Sequence, residues 1–399
     1  MIKGVVGMEI SVKRTSKPRA RMTTQSYLRL AKLADQLLNA AVPPPLLQLY
    51  REQQAIVKAL ASRRRGILKM KNVVGVGVAV RRDTRAGREA IGPIVYVSRK
   101  VPLTRLARRD RVPSSIIIRG KRYRITVRAR GKTTLLCLPG DVSGHRREYD
   151  PTPPDVAYAG LNQAGGIGTR GSGAAIVRKR DDTGPNPALA LLTNRHIANP
   201  IGMGPLDLGQ PWRNRRVGGH LVSSQIRDAA LCEIADPDPK SRCFGVIRPP
   251  VPPIVGMKVK KSGAGTGVIG SEITGVAQVR EDPASPFVDV VEMAFTGRKV
   301  RPVGFQFLSG GDSGSLALLG NYLEPTDFGD RINEAIDRFS RIFGGAFRRL
   351  ILLVARLRLT NAAVALLYAT APFGPAGDTA AIGYPMQDVL DDFGVVIVS

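Results

Sequence analysis

Three short segments of the sequence carry residue types that together could perform acyl transfer. They are Thr193-Asn194-Arg195-His196, Asp228-Ala229-Ala230-Leu231 and Gly310-Gly311-Asp312-Ser313-Gly314-Ser315. A neutral imidazole can take the proton of a serine hydroxyl, and a buried carboxylate can hold that imidazole in one tautomer. The sequence therefore predicts His196 as the general base, Asp228 as the residue that orients it, and Ser313 as the nucleophile.

Each of these residues lies close to an apolar run that is typical of a strand. The runs are 188–192 before His196, 229–231 after Asp228, and 305–308 and 316–319 on either side of the Ser313 turn. Strands of this kind would deliver the three side chains at their ends. Of the other two histidines, only His220 is a plausible alternative base, and it follows a glycine turn that no comparable strand feeds.

The glycine-rich turn around Ser313 also predicts an oxyanion hole. The backbone amides of Gly311 and Ser313 can converge on one point only if residue 311 has no Cβ. A Gly-Asp-Ser-Gly string alone is weak evidence, because turns are rich in these residue types. The prediction therefore depends on all three segments in the order His, Asp, Ser.

Residues 160–399 resemble the trypsin-like serine peptidases, and above all the bacterial and plant branch similar to the plant narrow-leaf peptidase. The segments that carry this resemblance are 191–196, 228–230, 256–267 and 311–316. The resemblance implies an all-β, chymotrypsin-like two-barrel fold. It also implies a serine endopeptidase that acts through an acyl-enzyme on protein or peptide substrates, with no metal and no cofactor.

The same resemblance implies a substrate pocket at Phe307, Tyr368, Ala369 and Thr370. None of these residues is acidic, so we expect cleavage after small or apolar residues rather than after lysine or arginine. Digestive members of the family become active by burying a new N-terminus against the aspartate that Asp312 matches. About 150 residues precede the peptidase-like part here, and no activation sequence is obvious, so we expect no such trimming.

Charge is distributed unevenly along the 399 residues. Residues 1–150 hold 34 of the 60 Lys+Arg and 9 of the 32 Asp+Glu, a net of +25 out of a total of +28. This basic half is predicted as an α+β module, with a helical segment at 1–65 and a small α+β part at 66–137. A linker rich in proline, glycine and charge is predicted at 138–159.

Residues 121–130 are predicted to form one strand of the basic half. With a period of two, Arg122, Arg124, Arg128 and Arg130 would lie on one face, opposite Tyr123, Ile125, Val127 and Ala129. A solvated strand face explains this pattern. The alternative is a surface that binds nucleic acid or another polyanion through phosphate contacts.

A helical insertion is predicted at 320–360, because apolar residues recur there at helical spacing between arginines. It would either dock on its own domain or meet a partner helix or a membrane surface. The resemblance places it on the far side of the barrel from the predicted triad. Further on, we expect a strand at 364–369, a closing helix at 385–393 and a last strand at 395–398.

Composition limits the remaining choices. The three cysteines, Cys137, Cys232 and Cys243, form neither a disulfide framework nor a metal-ligand spacing, which favours a reducing cytoplasm. The sequence predicts no secretory signal and no membrane-spanning run, and the oligomeric state is not readable. The alternatives to an endopeptidase are an inactive scaffold with a peptidase fold, and a polyanion-associated protein that uses residues 1–150.

Overall fold

Strands make up most of the structure, which is a computed structural model. It describes residues 47–82, 89–131, 133–135, 158–159, 171–199, 207–210, 215–234, 240–241, 245–263, 267–280, 285–294, 308, 312–320, 361–372 and 379–398. The predicted helical segment before residue 47, most of the predicted linker and residues 321–360 of the predicted insertion lie outside these ranges.

The described elements follow one another in mixed order. The first part of the chain holds α1 (Leu47–Leu68), β1 (Val73–Arg82), β2 (Glu89–Val97), β3 (Ser115–Ile118), β4 (Lys121–Arg124), β5 (Thr126–Ala129), β6 (Thr134–Leu135), β7 (Tyr158–Ala159), β8 (Ala175–Lys179), β9 (Leu189–Thr193) and α2 (Arg195–Ala198). The rest holds β10 (Asp207–Gln210), β11 (Arg215–Ser223), β12 (Ala230–Glu233), β13 (Lys240–Ser241), β14 (Gly245–Val246), β15 (Lys258–Gly263), β16 (Gly267–Val279), β17 (Val288–Ala294), β18 (Leu316–Leu319), β19 (Ala363–Pro372), β20 (Thr379–Pro385), α3 (Met386–Phe393) and β21 (Val395–Ile397).

Six antiparallel strands close into a barrel in the C-terminal part of the chain. Their order is β15-β18-β19-β20-β17-β16, and β15 pairs with β16 as well as with β18. Val259 of β15, for example, lies opposite Ser271 on one side and Leu319 on the other. This closed barrel agrees with the mostly-β fold expected from the sequence, and it removes the exposed edges that an open sheet would leave.

The strands of the basic half extend the same sheet. β1 pairs with β16, and β2 and β5 follow it outward. Gly77 of β1 lies opposite Ala277, and a Cβ at residue 77 would come within 2.5 Å of the Ala277 Cα, so only glycine fits. The predicted linker at 138–159 therefore separates two stretches of sequence whose described strands share one sheet.

Helix α1 covers one face of this extended sheet. Its buried residues Leu49, Ile56, Leu60 and Ile67 recur at helical spacing and join the cluster that holds β1 and the barrel strands. The buried amide of Gln53 donates to the carbonyl of Pro253 at 2.9 Å and accepts from the Val255 amide at 2.9 Å. Each large apolar side chain buried in this way contributes about 1.5–3 kcal/mol.

Residues 121–130 form two strands instead of the single one predicted. β4 pairs with β3 in a separate two-stranded sheet, whereas β5 runs parallel to β2. The predicted faces are also reversed at the end of this segment, because Val127 of β5 is exposed whereas Arg130, just after β5, is buried. The physical reason is a distant carboxylate, Glu292 of β17.

Glu292 is buried, accepts hydrogen bonds from two residues of the extended sheet and forms an ion pair with a third. Arg130 Nη1 lies 3.3 Å from its Oε1, Arg128 Nη1 lies 3.6 Å from its Oε2, and the Tyr96 hydroxyl donates to Oε2 at 2.6 Å. Burial, followed by the negative charge of Glu292, raises the pKa of Tyr96 well above its ordinary value. The phenol therefore stays protonated and remains a donor.

A second sheet of seven strands runs in the order β21-β8-β9-β12-β11-β10-β7. It stands where the second barrel was predicted, and among the described strands no pair closes it. Helix α3 and β21 confirm the predicted closing helix and strand, and Gly394 ends the helix in the left-handed conformation with φ of 63°. No helix in the described residues combines the length and apolarity that crossing a membrane would need.

We predict that Glu292→Gln lowers the free energy of unfolding by about 3–5 kcal/mol, because it leaves the buried Arg130 without a counter-charge. The amide keeps an acceptor for Tyr96, so the change isolates the lost charge. Chemical denaturation measures the effect, and Glu233→Gln, an exposed position on β12, is the matched control. Equal stability of the two variants would contradict the prediction.

Candidate active site

The predicted base and its orienting acid are in direct contact. β9 and β12 pair antiparallel with Thr193 opposite Ala230, which places His196, just after one strand, beside Asp228, just before the other. The His196 Nδ1 contacts the Asp228 Oδ2, and the His196 backbone N–H donates to Oδ1 at 2.9 Å. Both residues are buried, so the carboxylate fixes the position of the imidazole through two separate contacts.

Two neighbours that the sequence did not identify hold this pair in place. The Asn194 side chain donates to the Asp228 carbonyl at 2.7 Å. Arg227 reaches helix α3, where its Nη2 lies 3.2 Å from Asp388 and its Nη1 lies 2.5 Å from Asp392. The loop that carries Asp228 is thereby tied to the C-terminal helix, a link that no local sequence pattern reveals.

The predicted nucleophile lies in a tight turn at the start of β18. The Ser315 amide donates to the Asp312 carbonyl at 2.9 Å, and Gly314 has φ of 87°. A Cβ at residue 314 would also come within 2.0 Å of the Ser172 carbonyl oxygen, so glycine is required twice over. The Ser313 hydroxyl donates to the Tyr368 carbonyl at 3.2 Å and is fully buried.

Ser172 connects the nucleophile turn with the strand that precedes the histidine. Its backbone N–H donates to the Ser313 carbonyl at 2.7 Å. Its own carbonyl accepts the Thr193 hydroxyl at 2.8 Å. Ser172 thereby links the barrel, which carries Ser313, to the seven-stranded sheet, which carries His196 and Asp228.

A buried ion pair fixes the residue before the nucleophile. The Lys261 Nζ on β15 lies 2.9 Å from the Asp312 Oδ2, and neither side chain has any exposed surface. A Cβ at Gly263 would lie 2.2 Å from the Asp312 Oδ1, so the strand must carry glycine there. The Lys261 ammonium is therefore a positive partner for Asp312 in the interior of the protein.

A cleft of about 370 Å³ opens beside the His196–Asp228 pair. Its described lining comprises Thr133, Leu135, Arg195, His196, Asn199, Gln225, Ile226, Arg227, Asp228, Ser285, Pro286, Val288, Tyr368 and Tyr384. The rings of Tyr368 and Tyr384 stack with centroids 4.2 Å apart and form an aromatic wall. Asp228, which is held by His196, is the one acidic side chain in that lining.

The structure describes only some of the predicted pocket and oxyanion residues. Tyr368 lines the cleft, and Ala369 and Thr370 follow it on β19, whereas Gly311 and Phe307 lie outside the described residues. Tyr384 was not predicted, because the aromatic wall depends on the pairing of β19 with β20, which the sequence does not show.

The predicted polyanion surface is divided between two environments. Arg122 and Arg124 are exposed on β4, whereas Arg128 and Arg130 form ion pairs with Glu292. The four guanidinium groups therefore do not form one row. Binding of nucleic acid or another polyanion by residues 1–150 stays a prediction.

Two other groups that could react, His220 and Cys232, do not belong to the described lining of the cleft. His220 lies on β11, where its Nε2 is 2.8 Å from the Ser223 hydroxyl, and burial lowers its pKa. Burial raises the pKa of the Cys232 thiol to about 12, so this cysteine is not a thiolate nucleophile. The described residues contain no cluster of three or more potential metal ligands.

No protein-family model matches the chain, and no curated protein is significantly similar to it in sequence. Among solved structures, it is similar to a glutamic acid-specific serine protease, at 17% identity and a TM-score of 0.38 over 61% of this chain and 99% of that one. Thermobifida fusca protease A is 15% identical, with a TM-score of 0.33 over 62% of this chain and 97% of that one. Cellulomonas bogoriensis chymotrypsin is 16% identical, with a TM-score of 0.33 over 61% of this chain and 97% of that one. These neighbours are bacterial serine proteases of the chymotrypsin fold. Values this low say nothing about activity.

We predict that reactivity of Ser313 declines at alkaline pH through loss of the Lys261 charge. Burial lowers the pKa of Lys261 from its ordinary 10.5, although Asp312 opposes the shift. A lowered pKa means that the ammonium loses its proton at a lower pH than an exposed lysine does, and the ion pair that fixes Asp312 is then lost. The rate of Ser313 labelling by a fluorophosphonate, measured against pH, tests this.

The matched variant is Lys261→Arg, because arginine keeps its charge throughout this range. It should label at alkaline pH without the decline, whereas Lys258→Arg on the same strand should behave as the wild type does. An identical alkaline decline in all three proteins would show that a different group titrates.

Proposed function

We propose that this protein is a serine endopeptidase of the trypsin-like class, similar to the narrow-leaf branch. The observation that carries the proposal is the contact of His196 with Asp228 beside the cleft. Tyr368 lines the same cleft, and its carbonyl accepts a hydrogen bond from the Ser313 hydroxyl. A base fixed by a carboxylate, and a serine held in a locked turn whose hydroxyl donates to the cleft residue Tyr368, are the kinds of group that acyl transfer requires.

The proposed reaction uses these residues in two half-reactions. His196 takes the Ser313 proton as the hydroxyl oxygen attacks the peptide carbonyl, and Asp228 stabilises the imidazolium that forms. The imidazolium then protonates the leaving amine, and the acyl group stays on Ser313. His196 next removes a proton from a water molecule, whose oxygen attacks the ester carbonyl. The imidazolium then returns the proton to the Ser313 oxygen as the acid product leaves, which restores the enzyme. The amides of Gly311 and Ser313 are proposed as donors to the oxyanion.

The Lys261–Asp312 pair supports activity of the chain without N-terminal trimming. In the proposed enzyme the turn at 312–315 must hold the nucleophile and an amide donor at fixed positions. An ion pair in which both partners are fully buried constrains that turn strongly, because moving either charge leaves the other unpaired in the interior.

We predict that a fluorophosphonate labels the wild-type protein and that Ser313→Ala and His196→Ala abolish labelling. The change Asp228→Asn should lower the hydrolysis rate by about 10⁴-fold, because the amide favours the wrong imidazole tautomer. The control is His220→Ala, which removes a histidine outside the cleft and should label normally. Folded wild-type protein that fails to label would identify an inactive scaffold instead.

We predict a preference for an apolar or small residue on the amino side of the cleaved bond. The described cleft offers the aromatic wall of Tyr368 and Tyr384 and apolar groups such as Ile226 and Val288. Its one carboxylate, Asp228, is held by His196, so a lysine or arginine side chain finds no counter-charge there. Profiling on a peptide library measures the preference, and dominant cleavage after basic residues would contradict the prediction.

A further inference from the structure

A short strand of the basic half pairs with β19, the strand that the family resemblance implies would bind substrate. β6 pairs antiparallel with β19, with Leu135 opposite Ala369 and Thr134 opposite Thr370. On its other side the same stretch of β19 pairs with β20. β18 pairs with β19 only as far as Leu366. Beyond that point β6 takes the edge of β19 that β18 leaves.

In the proposed peptidase, an extended substrate would add to the barrel along this edge. Ser313 donates to the carbonyl of Tyr368, so the residues that follow Tyr368 lead directly away from the nucleophile. An extended peptide that adds to a sheet edge forms main-chain hydrogen bonds along it, while its side chains fill neighbouring pockets. Thr133 and Leu135 line the same cleft as His196 and Tyr368.

Burial of the site agrees with an occupied edge. Ser313 has no exposed surface, so a peptide can reach it only after a segment that covers it moves. The hold of β6 is weak, because the strand has two residues and the Leu135 side chain is 46% exposed. A short strand with few buried contacts belongs to the least stable part of a structure.

We propose that residues 133–135 act as an internal occupant of the peptide-binding edge of β19, and that peptide substrates must displace them. This inference rests on the proposed peptidase function. The occupant and the substrate compete for the same main-chain groups of Ala369 and Thr370. The basic half thereby limits access to the site, although it contributes no catalytic group.

Competition of this kind has a definite kinetic signature. A tethered segment acts at an effective concentration in the millimolar range, however dilute the protein is. When only a fraction of molecules has a free edge, the apparent dissociation constant of the peptide rises by the inverse of that fraction. The occupant therefore raises KM and leaves kcat unchanged, because saturating peptide displaces it.

The test compares the full-length wild type with the double variant Thr134→Pro, Leu135→Pro. Proline has no amide N–H, so the variant removes both donors that β6 could offer to β19, whichever of them points toward it. With a tetrapeptide nitroanilide that ends in an apolar residue, we expect KM to fall by about tenfold or more and kcat to stay unchanged. The control is Ala107→Pro, an exposed position with φ of −57° that suits proline.

A milder variant, Thr134→Gly, Leu135→Gly, guards against misfolding. It keeps the donors but raises the entropy cost of ordering the strand, so KM should fall by a smaller factor. Unchanged KM in both variants, in proteins that fluorophosphonate labels, would overturn this inference and leave the proposed function intact. A fall in kcat at constant KM would also overturn it. Absence of labelling in the wild type would refute the proposed function and this inference together.

Discussion

The buried ion pair between Lys261 and Asp312 is the constraint on which the geometry of the site depends. Removing two charges from water is costly, and their attraction offsets that cost only when both are held in good geometry. β15 holds the lysine within a closed barrel, and the tight turn at 312–315 holds the aspartate. Ser313 adjoins this aspartate, so its position follows from the strand order of the barrel.

The second constraint is the link between the two sheets. The proposed base and nucleophile belong to different sheets, and an error of 1 Å in their relative position would lower the rate of reaction sharply. Ser172 bridges them through its backbone, because its N–H donates to the Ser313 carbonyl and its own carbonyl accepts the Thr193 hydroxyl. Ser172 uses only its backbone groups for this link, so the residue type at 172 gives no hint of it in the sequence.

Sequence reasoning succeeded where local pattern and chemistry agree. Apolar runs beside His196 and Asp228 correctly indicated β9 and β12, and the contact between the two side chains follows from that pairing. It failed at residues 126–130, where a period of two suggested that arginines face solvent. Glu292, more than 160 residues further on, turns Arg130 inward. No local pattern contains the position of such a partner.

The same anchoring explains how a two-residue strand can occupy the cleft. Arg130 is fixed by Glu292 and by its amide, which donates to the Val97 carbonyl at 2.8 Å. β6 begins at Thr134, so three residues separate a rigid anchor from the edge of β19. Closing so short a connection costs little chain entropy once the anchor is ordered. The extended sheet thus keeps β6 close to the edge of β19, although the strand has few contacts of its own. The pairing itself stays short, as the proposed displacement by a peptide substrate requires.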